Sequence, residues 1–190
     1  MKIQNVSYQN NHLYQALGLS KSVLKTIDLL RDNKKTVGFA ESCTGGMLSS
    51  SFTQVSGVSE VFVGSVVSYA NSVKENILNV SGQTLFSHGA VSAPCAEEMA
   101  LGVLKNLKSD FAISITGIAG PKGGTDLKPV GTVFIAVAGM NTANGFSAQI
   151  FHHDFSRVTK NDSLVTTTRQ DIQQLACIAA LEHLALLIKN

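Results

Sequence analysis

Residues 36–47 have the sequence TVGFAESCTGGM. The short apolar run predicts a buried strand, the small polar residues and the two glycines predict a turn, and the apolar spacing that follows predicts a helix. In α/β proteins such a turn is a common site of chemistry, because the start of the helix offers unpaired N–H groups. Ser42 lies in this turn, beside glycines that would let a ligand approach the backbone. The alternative is that Ser42 or Thr44 only caps the helix.

The composition indicates a compact protein with a small-molecule site. Of the 190 residues, 44% are hydrophobic and 15% are charged, which is typical of one domain with a sizeable core. The net charge is +2 without a dense basic run, and aromatic residues make up 6%, so no nucleic-acid partner is expected. The three cysteines are far apart and indicate a reducing compartment rather than a disulfide framework. We recognise no signal peptide and no apolar run that could span a bilayer, and expect a cytoplasmic protein without membrane contact.

The first half of the chain alternates between predicted helices and strands. Residues 1–19 lack a strong period and are expected to form an N-terminal arm, and residues 20–190 a single domain. Ser20 or Ser22 is predicted to cap the first helix. After the central strand and its helix, a β-branched run at 61–67 predicts another buried strand.

Lys74 lies in a setting that could make it a base. Ser72 and Glu75 match a capping box, so a short helix is predicted to start there and to run to about Leu78. In the first turn of a helix, the positive end of the dipole and nearby burial would both lower the pKa of the Lys74 amine. The alternative is an ordinary solvated surface lysine.

A glycine-rich loop marks the second half. The segment between Ser81 and His88 is predicted to be a loop, and Ser92 is predicted to cap the next helix, with Pro94 in its first turn. The buried strand predicted at 111–115 runs directly into TGIAGPKGGT at 116–125. Such a loop cannot supply much packing, so it is predicted to be a binding loop or a lid.

The remaining elements complete an α/β pattern. They are a strand at 130–138, a turn at 141–145, an edge strand at 146–151, an irregular stretch at 155–163 and a final helix from about 164 to 189. The whole order predicts a three-layer α/β/α sandwich around a mostly parallel mixed sheet. His152 and His153 would point to opposite faces of their strand, so we do not expect them to share a metal.

Five segments, taken together, resemble the CinA C-terminal family from about residue 23 to residue 138. They are AESCTGG at 40–46, SYAN with Lys74 at 68–74, HGAVS at 88–92, ITGIAGP at 115–121 and KPVGTV at 128–133. The resemblance implies the three-layer fold, a homo-oligomer, and a stand-alone amidase without the N-terminal pyrophosphatase domain of larger members. It implies hydrolysis of the carboxamide of nicotinamide mononucleotide, a small-molecule nucleotide, to nicotinic acid mononucleotide and ammonia, with no cofactor or metal.

Amide hydrolysis needs a nucleophile, a base and groups that hold the substrate. We assign Ser42 as nucleophile. A serine needs a base within reach to act in this way, and we assign Lys74 as that base. Thr116 and Tyr69 complete the expected catalytic set. The expected substrate-binding residues are Glu41, Cys43, Thr44, Gly45, Gly46, Asn71, Gly117, Ile118, Ala119, Gly120, Arg157 and Arg169.

Several alternatives stay open. Cys43 is a rival nucleophile, since a thiolate is activated at a helix N-terminus. Glu41 could instead be a structural hydrogen-bond partner of the turn. Family members commonly have a Gly-Asp-Arg-like segment and a second Arg before the last helix, but here Arg157 and Arg169 are separated by an extra polar stretch. That departure leaves a second hypothesis, a non-catalytic pyridine-nucleotide-binding regulatory module.

Overall fold

The computed structural model describes residues 3–6, 18–141, 145–160 and 163–189. The strands are β1 (Ile3–Val6), β2 (Val37–Glu41), β3 (Phe62–Val67), β4 (Phe111–Gly117), β5 (Thr132–Asn141), β6 (Gly145–Asp154), β7 (Arg157–Lys160) and β8 (Ser163–Thr166). The α-helices are α1 (Leu19–Asp32), α2 (Met47–Thr53), α3 (Asn71–Leu78), α4 (Gly82–His88), α5 (Ala93–Leu107) and α6 (Arg169–Lys189).

The main sheet has six strands in the order β1-β6-β5-β4-β2-β3. Only β5 runs against its neighbours, while β1 pairs with β6, and β2 with β3 and β4, in parallel. One core cluster joins α1, α2 and α6 to the sheet, and a second joins α3, α4 and α5 to it. The predicted three-layer α/β/α sandwich with a mostly parallel mixed sheet is confirmed.

The register of the parallel strands brings several chain turns to one edge. Glu41, the last residue of β2, pairs with Val67 of β3 and with Ile115 of β4. The residues that follow these strands therefore lie at the same edge of the sheet, where α/β proteins place ligands.

Two predictions about the edges of the sheet were wrong. β3 was predicted to be buried, but it is an edge strand whose Val63 and Val67 are 46% and 45% exposed. The segment at 146–151 was predicted to lie at the edge, but β1 pairs along its outer side. β1 belongs to the predicted N-terminal arm, most of which lies outside the described residues, as does most of the predicted turn at 141–145. An apolar run alone does not reveal which strand pairs next to it.

The predicted serine caps of α1 and α3 were wrong, whereas the predicted cap of α5 was right. α1 starts at Leu19 after Gly18, and α3 starts at Asn71 after Ala70, and neither start has a side-chain cap. The segment from 82 to 88 is a helix rather than a loop, and Ser81 Oγ accepts a hydrogen bond from Gln83 N at 3.2 Å. Ser92 Oγ does cap α5, at 3.3 Å from Cys95 N.

The stretch before the last helix is a hairpin, not an irregular segment. β7 and β8 pair in antiparallel fashion, so Leu164 lies in a strand and α6 begins at Arg169. Thr168 and Asp171 cap this start reciprocally: the Asp171 carboxylate accepts from Thr168 N at 2.8 Å, and Asp171 N donates to Thr168 Oγ1 at 3.2 Å. This pair fixes the start of the helix.

The expectation that no apolar segment is long enough to span a bilayer was also wrong. α6 has 21 residues, and its most apolar window has a mean hydropathy of 1.4, which suffices by length and composition alone. Half of that window is buried inside the protein, where it packs on α1 and on the sheet. These are the contacts of a core helix.

A buried histidine pair joins β6 to α6. His153 Nε2 lies 3.0 Å from His183 Nε2, and the His183 ring stacks on Phe151 with the ring centroids 3.5 Å apart. His152 stacks on Phe134 on the other face of β6, so the two adjacent histidines diverge as predicted. Across the described ranges, no group of three or more His, Cys, Asp or Glu side chains could hold a metal ion.

We expect this pair to destabilise the protein in acid. Burial lowers the pKa of His183 to about 4 and that of His153 to about 2, both from 6.5. The unfolded chain therefore binds more protons below pH 6.5, so the free energy of unfolding falls as the pH falls. For His183 alone the loss by pH 4 is on the order of 3 kcal/mol.

Urea unfolding at pH 7, 5.5 and 4.5 measures this effect. The His183→Leu variant should have a shallower dependence on pH than the wild type, and a variant at the exposed His88, His88→Gln, should keep the wild-type slope. Equal slopes in all three proteins would contradict the expectation.

Candidate active site

The turn after β2 holds Ser42 in place by backbone hydrogen bonds. Ser42 N donates to Ile115 O of β4 at 2.9 Å, and Gly45 N donates to Ser42 O at 3.1 Å. Gly45 and Gly46 have φ values of 62° and 98°, in the left-handed region that glycine adopts without strain. The tight turn brings the chain from β2 into α2 within five residues, 42 to 46.

Glu41 stabilises the start of α2. Its carboxylate is fully buried and accepts hydrogen bonds from the backbone N–H groups of Gly46, Leu48 and Ser49 at 2.8 to 3.1 Å, and from Ser49 Oγ at 2.7 Å. A buried anion at a helix N-terminus also complements the dipole. The contacts of Glu41 are thus those of a structural partner. They also occupy amides of the helix start, which are therefore not available to a substrate anion.

Lys74 reaches the turn at residues 42–46 from α3. Its Nζ lies 3.0 Å from Ser42 Oγ, and it also contacts Ser68 O and, at 3.4 Å, Tyr69 O. The residue is 1% exposed, which excludes the alternative of a solvated surface lysine. Burial lowers the pKa of the amine below its usual 10.5. The arrangement is that of a serine beside an amine that can accept its proton.

The environment of Cys43 differs from that of an activated thiol. The side chain is buried, and burial raises the pKa of the thiol to about 12. The thiol is therefore protonated at neutral pH, whereas a cysteine nucleophile must be a thiolate.

The glycine-rich loop forms the opposite wall. Thr116 Oγ1 donates to Ala90 O at 2.7 Å, which links the end of β4 to the connector before α5. At Gly117, an added Cβ would lie 2.8 Å from Thr132 O, so the backbone here packs too closely for a side chain. The Ile118 N–H and C=O bond to Thr132 O and Gly131 N, which joins the two ends of the loop.

Arg169 ties this loop to the segment that carries the lysine. Its Nη1 donates to Gly120 O at 2.8 Å, and its Nη2 donates to the Tyr69 hydroxyl at 3.3 Å. Arg157 lies in β7 instead and does not line the cleft. The hairpin accommodates the extra residues between the two arginines and still places Arg169 at the cleft.

These walls enclose a cleft of about 260 Å³. Its lining includes these predicted residues: Ser42, Cys43, Tyr69, Lys74, Thr116, Gly117, Ile118, Ala119, Gly120 and Arg169. Outside the lining are these predicted residues: Glu41, Thr44, Gly45, Gly46, Asn71 and Arg157.

Sequence reasoning missed further lining residues. They are Ala90, Val91, Lys122 and Gly123. Ala90 and Val91 belong to the HGAVS segment, and Lys122 belongs to the glycine-rich loop. The sequence analysis singled out both segments but did not predict that these residues line the cleft. Besides Lys74, the cleft lining contains two basic side chains, those of Lys122 and Arg169, but no acidic one. This charge balance favours an anionic ligand.

Known proteins resemble this chain over 66% to 94% of its length. A CinA-like protein of Thermotoga maritima is 44% identical over 179 residues, which are 94% of this chain and 40% of the relative. A CinA-like protein of Pseudothermotoga lettingae is 52% identical over 126 residues, 66% of this chain and 30% of the relative. The chain therefore spans less than half the length of these two curated relatives.

Solved structures agree with this similarity. The competence/damage inducible protein CihA of Agrobacterium tumefaciens has a TM-score of 0.78 at 32% identity, over 90% of this chain and 96% of that one. A competence-damaged protein (CinA) superfamily protein of Escherichia coli has a TM-score of 0.76 at 27% identity, over 95% of each chain. The family model described as the CinA C-terminal domain matches residues 19–188. The chain belongs to the CinA family, of which it carries the C-terminal domain.

Proposed function

We propose that this chain is an amidase that hydrolyses the carboxamide of nicotinamide mononucleotide to nicotinic acid mononucleotide and ammonia. The observation that carries this proposal is the distance of 3.0 Å between Lys74 Nζ and Ser42 Oγ, in a cleft at the carboxyl ends of β2 and β4. A serine needs a base within hydrogen-bond reach to become a nucleophile, and a buried amine with a lowered pKa can supply it.

The contacts of Lys74 suit the neutral amine. A neutral amine has two N–H groups and one lone pair. Ser68 O and Tyr69 O can accept hydrogen bonds from the two N–H groups of the amine. The lone pair is then left to accept a hydrogen bond from the hydroxyl of Ser42. In the proposed first step, Ser42 Oγ attacks the carboxamide carbon while Lys74 takes the hydroxyl proton.

The second half of the proposed reaction returns the proton. Collapse of the tetrahedral intermediate breaks the C–N bond, and Lys74 gives its proton to the departing ammonia. A water molecule, deprotonated by the neutral Lys74, then attacks the ester on Ser42. The bond between the acyl carbon and Ser42 Oγ breaks, Lys74 returns the proton to Ser42 Oγ, and the product leaves as the acid, which ionises in water to the carboxylate.

Basic side chains at the cleft suit the phosphate of the substrate. We assign Arg169 and Lys122 to this group, since both line the cleft and Arg169 keeps donors beyond those that it gives to Gly120 O and the Tyr69 hydroxyl. Thr116 and the backbone from Gly117 to Gly120 would contact the rest of the nucleotide. We expect the activity in the cytoplasm and in a homo-oligomer, without a metal or a cofactor.

The hypothesis of a non-catalytic nucleotide-binding module had its support in the altered segment between Arg157 and Arg169. Arg169 nevertheless lies in the cleft, beside an intact pair of Ser42 and Lys74. We therefore favour the amidase.

The test is ammonia release from nicotinamide mononucleotide without added metal, by the wild type and by Ser42→Ala. We expect turnover by the wild type and none above background in the variant, with nicotinic acid mononucleotide formed in equal amount to ammonia. A folded wild type that binds the nucleotide but releases no ammonia would support the binding module instead. Activity retained in Ser42→Ala but lost in Cys43→Ala would transfer the role of nucleophile to Cys43.

A further inference from the structure

Gln173 connects the last helix to the turn at residues 42–46, called the nucleophile turn below because it carries Ser42. Its Nε2 donates to Cys43 O at 2.8 Å, across 130 positions of the chain. Gln173 lies on α6 one turn after Arg169, and positions four apart in a helix share a face. The same face of α6 therefore holds the nucleophile turn through Gln173, and the glycine-rich loop and Tyr69 through Arg169.

The other hydrogen bonds of the turn do not hold this peptide. Ser42 N and Ser42 O are fixed by Ile115 O and Gly45 N, and Thr44 O accepts from Met47 N at 3.1 Å. The Glu41 carboxylate holds the amides of Gly46, Leu48 and Ser49. Between the bonds of Ser42 and that of Thr44 O lies the peptide that joins Cys43 to Thr44. No described residue other than Gln173 donates to the Cys43 carbonyl.

The orientation of this peptide also sets the direction of a free donor. A trans peptide is planar, so the C=O of Cys43 and the N–H of Thr44 point in opposite directions and move together. The Thr44 N–H has no acceptor within the described chain, and its buried Oγ1 has no hydrogen-bond partner there. Holding the carbonyl therefore also holds the Thr44 N–H and the chain directly after Ser42.

We propose that Gln173 is a positioning residue, which fixes the Cys43–Thr44 peptide so that the neighbouring Ser42 keeps its working geometry. This inference rests on the proposed amidase function. Without the Gln173 donor, the peptide can rotate and the nucleophile turn loses its link to α6. A misplacement of about 1 Å at a reacting group can lower a rate by about 10²-fold. Gln173 is not part of the cleft lining, so substrate binding should change little.

The test compares Gln173→Met, which keeps the length of the side chain but removes the donor, with Gln174→Met at the exposed neighbouring position. We expect kcat for ammonia release to fall on the order of 10- to 100-fold in Gln173→Met with KM nearly unchanged, and to stay at the wild-type value in Gln174→Met. The pH at which kcat rises should not move, because Lys74 keeps its contacts. A purely structural role would lower the melting temperature without this split between kcat and KM.

A second measurement is independent of the substrate. Phenylmethylsulfonyl fluoride modifies an activated serine: the Ser42 Oγ–S bond forms, the S–F bond breaks, fluoride leaves, and the hydroxyl proton passes to Lys74. We expect the rate of Ser42 labelling to fall in Gln173→Met by a similar factor as kcat. If the wild type is labelled but releases no ammonia, the proposed substrate is wrong, and the labelling rates still test Gln173. Equal rates in Gln173→Met and wild type, or equal losses in Gln174→Met, would overturn the role of Gln173, as would a wild type that is not labelled at all.

Discussion

The Lys74→Met variant is expected to release ammonia from nicotinamide mononucleotide on the order of 10⁴-fold more slowly than the wild type at neutral pH. Methionine fills a similar space but cannot accept the Ser42 proton, and the hydroxyl by itself is a weak nucleophile. A matched control is Lys105→Met on α5, where the side chain is exposed and lies outside the cleft. Loss of activity in Lys74→Met alone, in a protein that still melts cooperatively, would identify the base.

The same residue should set the pH dependence of the wild type. Only the neutral amine can accept a proton, so kcat/KM should rise with pH and level off at a pH below the ordinary lysine value of 10.5, because burial lowers the pKa of Lys74. The residual activity of Lys74→Met should lack this rise of kcat/KM with pH. A rise at the same pH in the variant would show that another group titrates.

The pH dependence of stability gives an independent check on Lys74. In the window between its lowered pKa and 10.5, the unfolded chain binds more protons than the native protein. The free energy of unfolding of the wild type should therefore rise with pH in this window, relative to that of Lys74→Met. Chemical unfolding of both proteins at several pH values measures the difference, and parallel curves would contradict a lowered pKa of the buried amine.

The Glu41→Gln variant is expected to lose about 3 kcal/mol of folding free energy, which corresponds to a melting temperature roughly 6–12 °C lower. The wild-type carboxylate accepts four hydrogen bonds from Gly46, Leu48 and Ser49 in a fully buried position. A carboxamide of the same shape has one oxygen and would turn its NH₂ group toward further donors. It also removes the negative charge from the start of α2.

The control for Glu41 is Glu60→Gln. Glu60 forms an exposed ion pair with Arg31 at 3.2 Å, and the loss of an exposed pair costs about 1 kcal/mol at most. Thermal melts and KM should be measured for both variants. If Glu41→Gln melted like Glu60→Gln but had a raised KM, Glu41 would be a substrate-binding residue, as the sequence also allowed, rather than the structural anchor of the turn.

Much of the fold and of the candidate site was predictable because local patterns carry the information. The apolar run at 37–41 and the small residues after it predicted β2 and its turn. The strand at 111–115 and the glycines that follow it predicted the opposite wall of the cleft. The family resemblance placed Ser42 and Thr116 in one site, and the parallel pairing of β2 with β4 brings their turns to the same edge of the sheet.

Local patterns failed where a neighbour in space decides the outcome. Ser72 and Glu75 have the spacing of a capping box, but α3 starts without a side-chain cap. The sequence could not show that β1 pairs outside β6, because strand pairing depends on the whole sheet. Arg157 and Arg169 looked equivalent as cations before the last helix, and the hairpin between them sends only Arg169 to the cleft.

The sequence by itself determined the layered α/β architecture, the turn that presents Ser42, and Lys74 as the candidate base for this serine. The tertiary structure decided the contacts on which the chemistry depends: the 3.0 Å between Lys74 Nζ and Ser42 Oγ, the burial that lowers the pKa of the amine, and the bond from Gln173 to the Cys43 carbonyl. The physical reason is range. Hydrophobic period and turn chemistry act between near neighbours in the chain, whereas burial and hydrogen-bond geometry arise between residues separated by 32 to 130 positions.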